Sequence, residues 1–319
     1  MSTVPPRPAK RAPAPPTRPT GQATGQSQPA TNRPAIAAGA DPFADLLDTR
    51  TSHGKFLMFY SEAGMGKTTL AAMFPDPMFI VTSGEQGIFL YKERGLADKN
   101  IPVVQLDPLF AHDSIPADTG HPGFLRCLEA CRRFRDLKHD RKTLVIDSVS
   151  GLQDLCHQHC ASKLFGGNID GNGKDEFLSY YKGYIKSAEA FWSSELLTLL
   201  LEIVAKGYNV ILLAHNMFKQ VDNVGGPEFS QYRPELDKEI WKYTKKDLHG
   251  VFFLGQEVQV SIDSKTKKKS AIGDRRFIGL APSPYYVAKS WCTPDGTSEI
   301  DCGANAQETW QNLKTVLGM

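Results

Sequence analysis

The sequence predicts an α/β fold: a mostly parallel central sheet flanked by helices, with a β-hairpin extension near the C-terminus. Three observations lead there. Residues 55–60 are a short apolar run that reads as a buried strand, followed by a glycine-bearing loop and a helix stopped by Pro75. Residues 143–148 are a second apolar run, ending in Asp147 and Ser148. Further apolar runs at 78–82, 103–106, 210–214 and 250–255 alternate with helical patterns at 124–137 and 185–206.

The first of these stretches carries the clearest chemistry. Gly64 and Gly66 let the backbone turn its N–H groups inward with no Cβ in the way. Those groups and the helix N-terminus form an anion cradle. Ser61, Glu62, Ala63, Gly64, Met65, Gly66, Lys67, Thr68 and Thr69 therefore read as a phosphate-binding loop, and ATP with Mg²⁺ is the ligand expected. Lys67 would reach the β- and γ-phosphates, and the Thr68 hydroxyl would hold Mg²⁺. The strict pattern opens on Gly; Ser61 stands there and is small enough to keep the turn. The bland alternative is a chance Gly-x-Gly-Lys-Thr, against which stand the strand before it and the helix after it.

Three strand tips complete the expected site. Asp147 ends an apolar strand, the arrangement in which an Asp holds Mg²⁺ through water. Glu85 follows the strand at 78–82 and so lies at the sheet edge where ligands bind in open α/β folds. A carboxylate there orients an attacking water; the competing reading is a solvated turn. His215 and Asn216 end the strand at 210–214 and are candidates for sensing the γ-phosphate.

Composition sets the bounds. The chain has 319 residues, 41% hydrophobic and 23% charged, with a net charge of +2. This is an ordinary globular balance, so a nucleic-acid site must be a local patch. No apolar run reaches the length of a membrane span, and a cytoplasmic protein is expected. Residues 1–42 form a Pro-rich tail with Arg7, Lys10, Arg11, Arg18 and Arg33 and no acid before Asp41; such a stretch is expected to be disordered, leaving 43–319 as the folded core. Cys156-His157-Gln158-His159-Cys160 lacks the usual ligand spacing of a structural zinc site, so its thiols are expected to be reduced and partly buried.

Two later stretches point to a polymeric anion. Residues 217–235 contain Gly225-Gly226-Pro227 and read as a long flexible loop, with Lys219 and Arg233 interleaved with Phe218, Phe229 and Tyr232. Residues 257–263 and 276–280 read as the two strands of a hairpin within about 256–281. Its tip holds Lys265, Lys267, Lys268 and Lys269, with Arg275 and Arg276 at the start of the second strand and only Asp263 and Asp274 opposing them. Cations that follow a phosphate backbone and rings that stack on unpaired bases suit single-stranded DNA. The plain alternative for the tip is a solvated turn.

Several of these stretches resemble the RecA-like recombinase superfamily. Leu144-Val145-Ile146-Asp147-Ser148-Val149 is similar to the bacterial recombinase strand that also runs into Asp-Ser-Val. The resemblance implies that Glu85 is the catalytic glutamate, that Tyr91 stacks on adenine, and that His215-Asn216 links the ATP state to DNA binding. A phage-encoded, Sak-type single-strand annealing group is the nearer resemblance. It shares the phosphate loop, the Asp strand, the strand-tip His and a late Ala-Lys element, here Ala288-Lys289, over residues 54–291. It implies a DNA-stimulated ATPase of phage type acting in the bacterial cytoplasm on single-stranded DNA. It also implies a homo-oligomer, ring or filament, in which Lys289 completes a neighbour's site, and a phage or host single-strand-binding protein as a further partner. Two other readings remain open at this point: an ATPase that remodels a protein, and a nucleotide-dependent binding module with little turnover.

Overall fold

The computed structural model describes residues 53–95, 100–106, 118–222, 225–257, 259–262, 269–272 and 275–319. The tail expected over 1–42 lies outside the described residues. In chain order, β1 (Phe56–Ser61) leads to α1 (Lys67–Ala72), and β2 (Pro77–Val81) to α2 (Gly87–Glu93). β3 (Val103–Gln105) precedes α3 (Pro122–Asp136), and β4 (Thr143–Asp147) precedes α4 (Val149–Leu164). A helical rod follows, from α5 (Lys182–Lys186) through a π-helical stretch (Ser187–Leu197) to α6 (Thr198–Ala205). Then come β5 (Asn209–Val221), β6 (Phe229–Pro234), α7 (Lys238–Asp247) and β7 (Gly250–Gln256). The remaining elements are β8 (Gln259–Ile262), β9 (Lys269–Ile272), β10 (Arg276–Gly279), β11 (Lys289–Ser290), β12 (Glu299–Asp301) and α8 (Ala306–Leu317).

The main sheet runs β12-β10-β7-β1-β5-β4-β2-β3. The six strands from β7 to β3 are parallel, and β10 and β12 form an antiparallel edge. Parallel strands have both faces covered, which is why β1 and β4 are buried at every position and read as unbroken apolar runs. On one face pack Phe124 and Leu128 of α3, Leu152 of α4, Trp192 of the π-helical stretch and Ile240 of α7. There the Trp192 indole N–H donates to Thr244 Oγ1 at 2.8 Å, so the largest buried ring is also satisfied. On the other face pack Leu70 of α1, Ile88 of α2, and Trp310, Leu313 and Leu317 of α8. The order matters for the site: β1 and β4 are not neighbours, because β5 lies between them.

Two expectations are corrected. Residues 217–235 are not a long loop: β5 continues to Val221 and pairs antiparallel with β6, so the segment is itself a hairpin. The Gly225-Gly226-Pro227 signal marks its turn rather than the whole stretch. The later hairpin exists, but β8 pairs with β9, not with residues 276–280. β10 instead joins the main sheet between β7 and β12. Among the described residues no helix is long and apolar enough to cross a membrane.

Candidate functional site

The pairing register brings four strand tips to one edge of the sheet. Ser61 of β1 pairs with His215 of β5, and Asp147 of β4 pairs with Leu213 of β5 and Val81 of β2. Each chemistry-bearing residue sits at or just beyond these tips. In the loop after β1, Gly64 and Gly66 take φ values of 81° and 93°, a region costly for any residue with a Cβ. Lys67 is 8% exposed. Its ammonium donates to Ser61 O at 3.0 Å, Ser61 Oγ at 3.1 Å and Glu62 O at 3.0 Å. Ser61, standing where the strict pattern has Gly, thus lends a hydroxyl to the lysine. Burial lowers the Lys67 pKa, while the nearby carboxylates of Asp147 and Glu85 act to raise it.

The Thr68 hydroxyl donates to Asp147 Oδ2 at 2.7 Å. Burial pushes the Asp147 carboxyl up to about 6, against the opposing effect of the Thr68 hydrogen bond. Across the edge, His215 Nε2–H donates to Glu85 Oε1 at 2.6 Å. That bond is the main cause of a lowered Glu85 pKa and a raised His215 pKa. The His215 backbone N–H donates to Ser150 Oγ at 3.0 Å, which ties β5 to the first turn of α4. Behind the carboxylates, the Ser148 N–H donates to Thr82 Oγ1 at 3.1 Å and fixes β4 against the end of β2.

A cavity of about 490 Å³ opens beside the loop, within the range of small-molecule sites. Gly64, Met65, Gly66, Thr69 and Tyr91 line it together with Leu254, Arg276 and the turn from Cys302 into α8. Thr69 Oγ1 is buried with no hydrogen-bond partner. A buried hydroxyl of this kind calls for an acceptor, and a nucleotide supplies several. The donor set fits a nucleotide with Mg²⁺: an ammonium, glycine-rich backbone, a free hydroxyl, and a Thr–Asp pair of hard oxygens for the metal.

The other expected residues are distributed as follows. Asn216 begins the β5–β6 hairpin opposite Pro234. On that hairpin Phe218 is 59% exposed and Lys219 is exposed. Tyr232 is half-buried, with its ring 4.1 Å from Phe218 and stacked at 5.1 Å on Phe253; Phe229 is half-buried, and Arg233 donates to Gln231 Oε1 at 3.2 Å. The Lys289 ammonium donates to the Lys245 and Lys246 carbonyls at the end of α7 and lies 3.4 Å above the Trp291 ring, so it is held there rather than at its own phosphate loop. Arg275, expected to be opposed only by Asp263 and Asp274, which lie outside the described residues, pairs with Glu299 at 2.7 Å, Asp301 at 3.2 Å and Glu257 at 3.6 Å. Arg276 lines the cavity beside the phosphate loop. Lys269 is part of β9. Lys265, Lys267 and Lys268 lie outside the described residues.

Sequence reading missed the wall formed by the turn from Cys302 and the start of α8. Its signal was present: Asn305 and Glu308 form a capping box, with Glu308 N–H on Asn305 Oδ1 at 3.0 Å and Ala304 N–H on Glu308 Oε2 at 2.8 Å. Ser150 and Thr82, which position the strand tips, carry no motif.

A parallel α/β sheet with a phosphate loop, a Thr–Asp pair and a carboxylate–histidine pair at its strand tips defines a RecA-like P-loop NTPase. A family model described as AAA domain (AAA_24) matches residues 53–292, and the chain belongs to that family. No curated protein matches the sequence. Among solved structures, the flagellar accessory protein FlaH from Methanocaldococcus jannaschii is similar at 11% identity and a TM-score of 0.41, covering 78% of this chain and 85% of that one.

Proposed function

We propose that this protein is a phage-type ATPase that binds single-stranded DNA under the control of Mg-ATP, as a recombinase or annealing protein. The observation that carries the reading is one strand. β5 bears His215, hydrogen-bonded to Glu85 at the site, and runs on unbroken to exposed Phe218 and Lys219. A change at the phosphate end therefore reaches a surface suited to unpaired bases through continuous backbone.

When bound, Mg²⁺ would neutralise charge on the transferring phosphoryl group. Thr68 and Asp147 would hold it, and Lys67 would leave Ser61 and Glu62 to pair with phosphate oxygens. Glu85, kept ionised by His215, orients and deprotonates the attacking water. The test is ATP turnover with and without single-stranded DNA. Stimulation by DNA, lost in Phe218→Ala with basal turnover intact, is expected; turnover indifferent to DNA would leave a P-loop ATPase of another kind.

A further inference from the structure

Arg275 and Arg276 are neighbours in sequence and opposites in environment. Arg275 is saturated by Glu257, Glu299 and Asp301. Arg276 has no ion-pair partner among the described residues, and it lines the cavity that also holds Tyr91, the loop glycines and the unpartnered Thr69 hydroxyl. Building on the nucleotide-site reading above, we propose that Arg276 holds the base of the bound nucleotide against Tyr91, so that β10 is part of the nucleotide site and not of a DNA path.

Three features assign it to the base rather than the phosphates. The phosphate end is already marked by Lys67 and by the Thr68–Asp147 pair, on the loop's inner side next to Ser61. Among its mostly polar lining the cavity beside Arg276 carries Met65, Leu70 and Leu254, so a heterocycle would find apolar contacts there as well as hydrogen-bond partners. A guanidinium is flat and weakly hydrated, and it stacks on aromatic faces as an ammonium cannot. Tyr91 on α2 and Arg276 on β10 reach that space from two separate elements. The Arg276 carbonyl accepts from Cys302 N–H at 2.9 Å, so the strand carrying the arginine is fixed to the turn that opens α8.

Calorimetric titration of the full chain with Mg-ATP and with inorganic tripolyphosphate tests this. Arg276→Ala is expected to weaken ATP about tenfold, the scale of one lost cation–π stack, and to leave tripolyphosphate binding and thermal stability unchanged. Arg276→Lys, which keeps the charge but not the plane, is expected to recover only part of the loss. Unchanged ATP affinity, an equal loss toward tripolyphosphate, or full rescue by lysine would each overturn the proposal. So would weaker single-stranded DNA binding by Arg276→Ala measured without nucleotide. Lys67→Ala separates the two levels. If Lys67→Ala binds ATP like the unmodified chain, the nucleotide-site reading fails as a whole; if it loses ATP while Arg276→Ala does not, only the role of Arg276 fails.

Discussion

At the scale of single residues, the Glu85–His215 bond makes a prediction in pH. Glu85 is lowered from an ordinary value of 4.5, so its contribution to stability is complete above 4.5 and is lost as pH falls through the lowered value. His215 is raised from an ordinary 6.5, so its contribution is complete below 6.5 and is lost as pH rises through the raised value. The pair therefore stabilises most between 4.5 and 6.5. Urea midpoints of the unmodified chain and Glu85→Gln should differ most within this window and converge as pH rises through the raised His215 value; a difference that grows steadily above pH 6.5 would contradict the ion pair. The same variant should bind Mg-ATP normally and hydrolyse it roughly 10²–10⁴ times more slowly. A loss under threefold would make Glu85 a turn residue and pass attention to Glu62, which is exposed in the phosphate loop.

At the scale of elements, α8 braces α1. The Trp310 ring lies 4.7 Å from that of Phe74, which follows α1, and Trp310 is buried. Trp310→Ala should cost about 3–5 kcal/mol in denaturant unfolding and should weaken nucleotide binding as well, because the same brace sets the cavity wall. The β5–β6 hairpin divides its aromatic rings by depth. Tyr232 lies in a stack with Phe253, which in turn stacks on Tyr286 at 4.9 Å, so Tyr232→Ala should lower the melting temperature. Phe218 is exposed, so Phe218→Ala should spare stability and lower affinity for single-stranded DNA. If the two variants reverse these effects, the depth assignment is wrong. What the sequence made legible follows the same physics. β1, β2, β4 and β7 are covered on both faces, so their apolar runs announced them. β6 was hidden because Ser230, Gln231 and Arg233 break the apolar pattern and the glycines beside them dominate the reading. β10 was assigned to the wrong partner because periodicity shows that a strand exists and says nothing of which neighbour it pairs with. The phosphate loop was read from local chemistry alone. The part played by Arg276 depends on a cavity assembled from elements more than 200 positions apart.

At the scale of the whole molecule, the half-buried Lys289 ammonium bonds carbonyls of α7 and packs on Trp291, an exposed tryptophan, so it sits near the surface and away from its own phosphate loop. If copies assemble with Lys289 reaching a neighbour's phosphates, mixing Lys289→Ala with Lys67→Ala should restore part of the turnover each lacks alone. No recovery at any mixing ratio would argue against a shared site. The long strand has a mechanical consequence. Up to Leu213, β5 is clamped on both sides, by β1 and β4; from Asn216 onward β6 is its paired strand. The change of support falls at His215, which makes that residue a fulcrum. The arm beyond it, Asn216 to Val221, is about 20 Å long at 3.3 Å per residue; its partner β6 is tied at Tyr232 to Tyr285 O at 2.8 Å and to Val287 N–H at 3.0 Å, so a tilt of about 5° at the fulcrum, roughly 2 Å at the tip, is shared with residues 285–287. A displacement of that size would change how the hairpin presents its rings and cations, and through Tyr232 it would couple the strand tip to the segment that leads into Lys289.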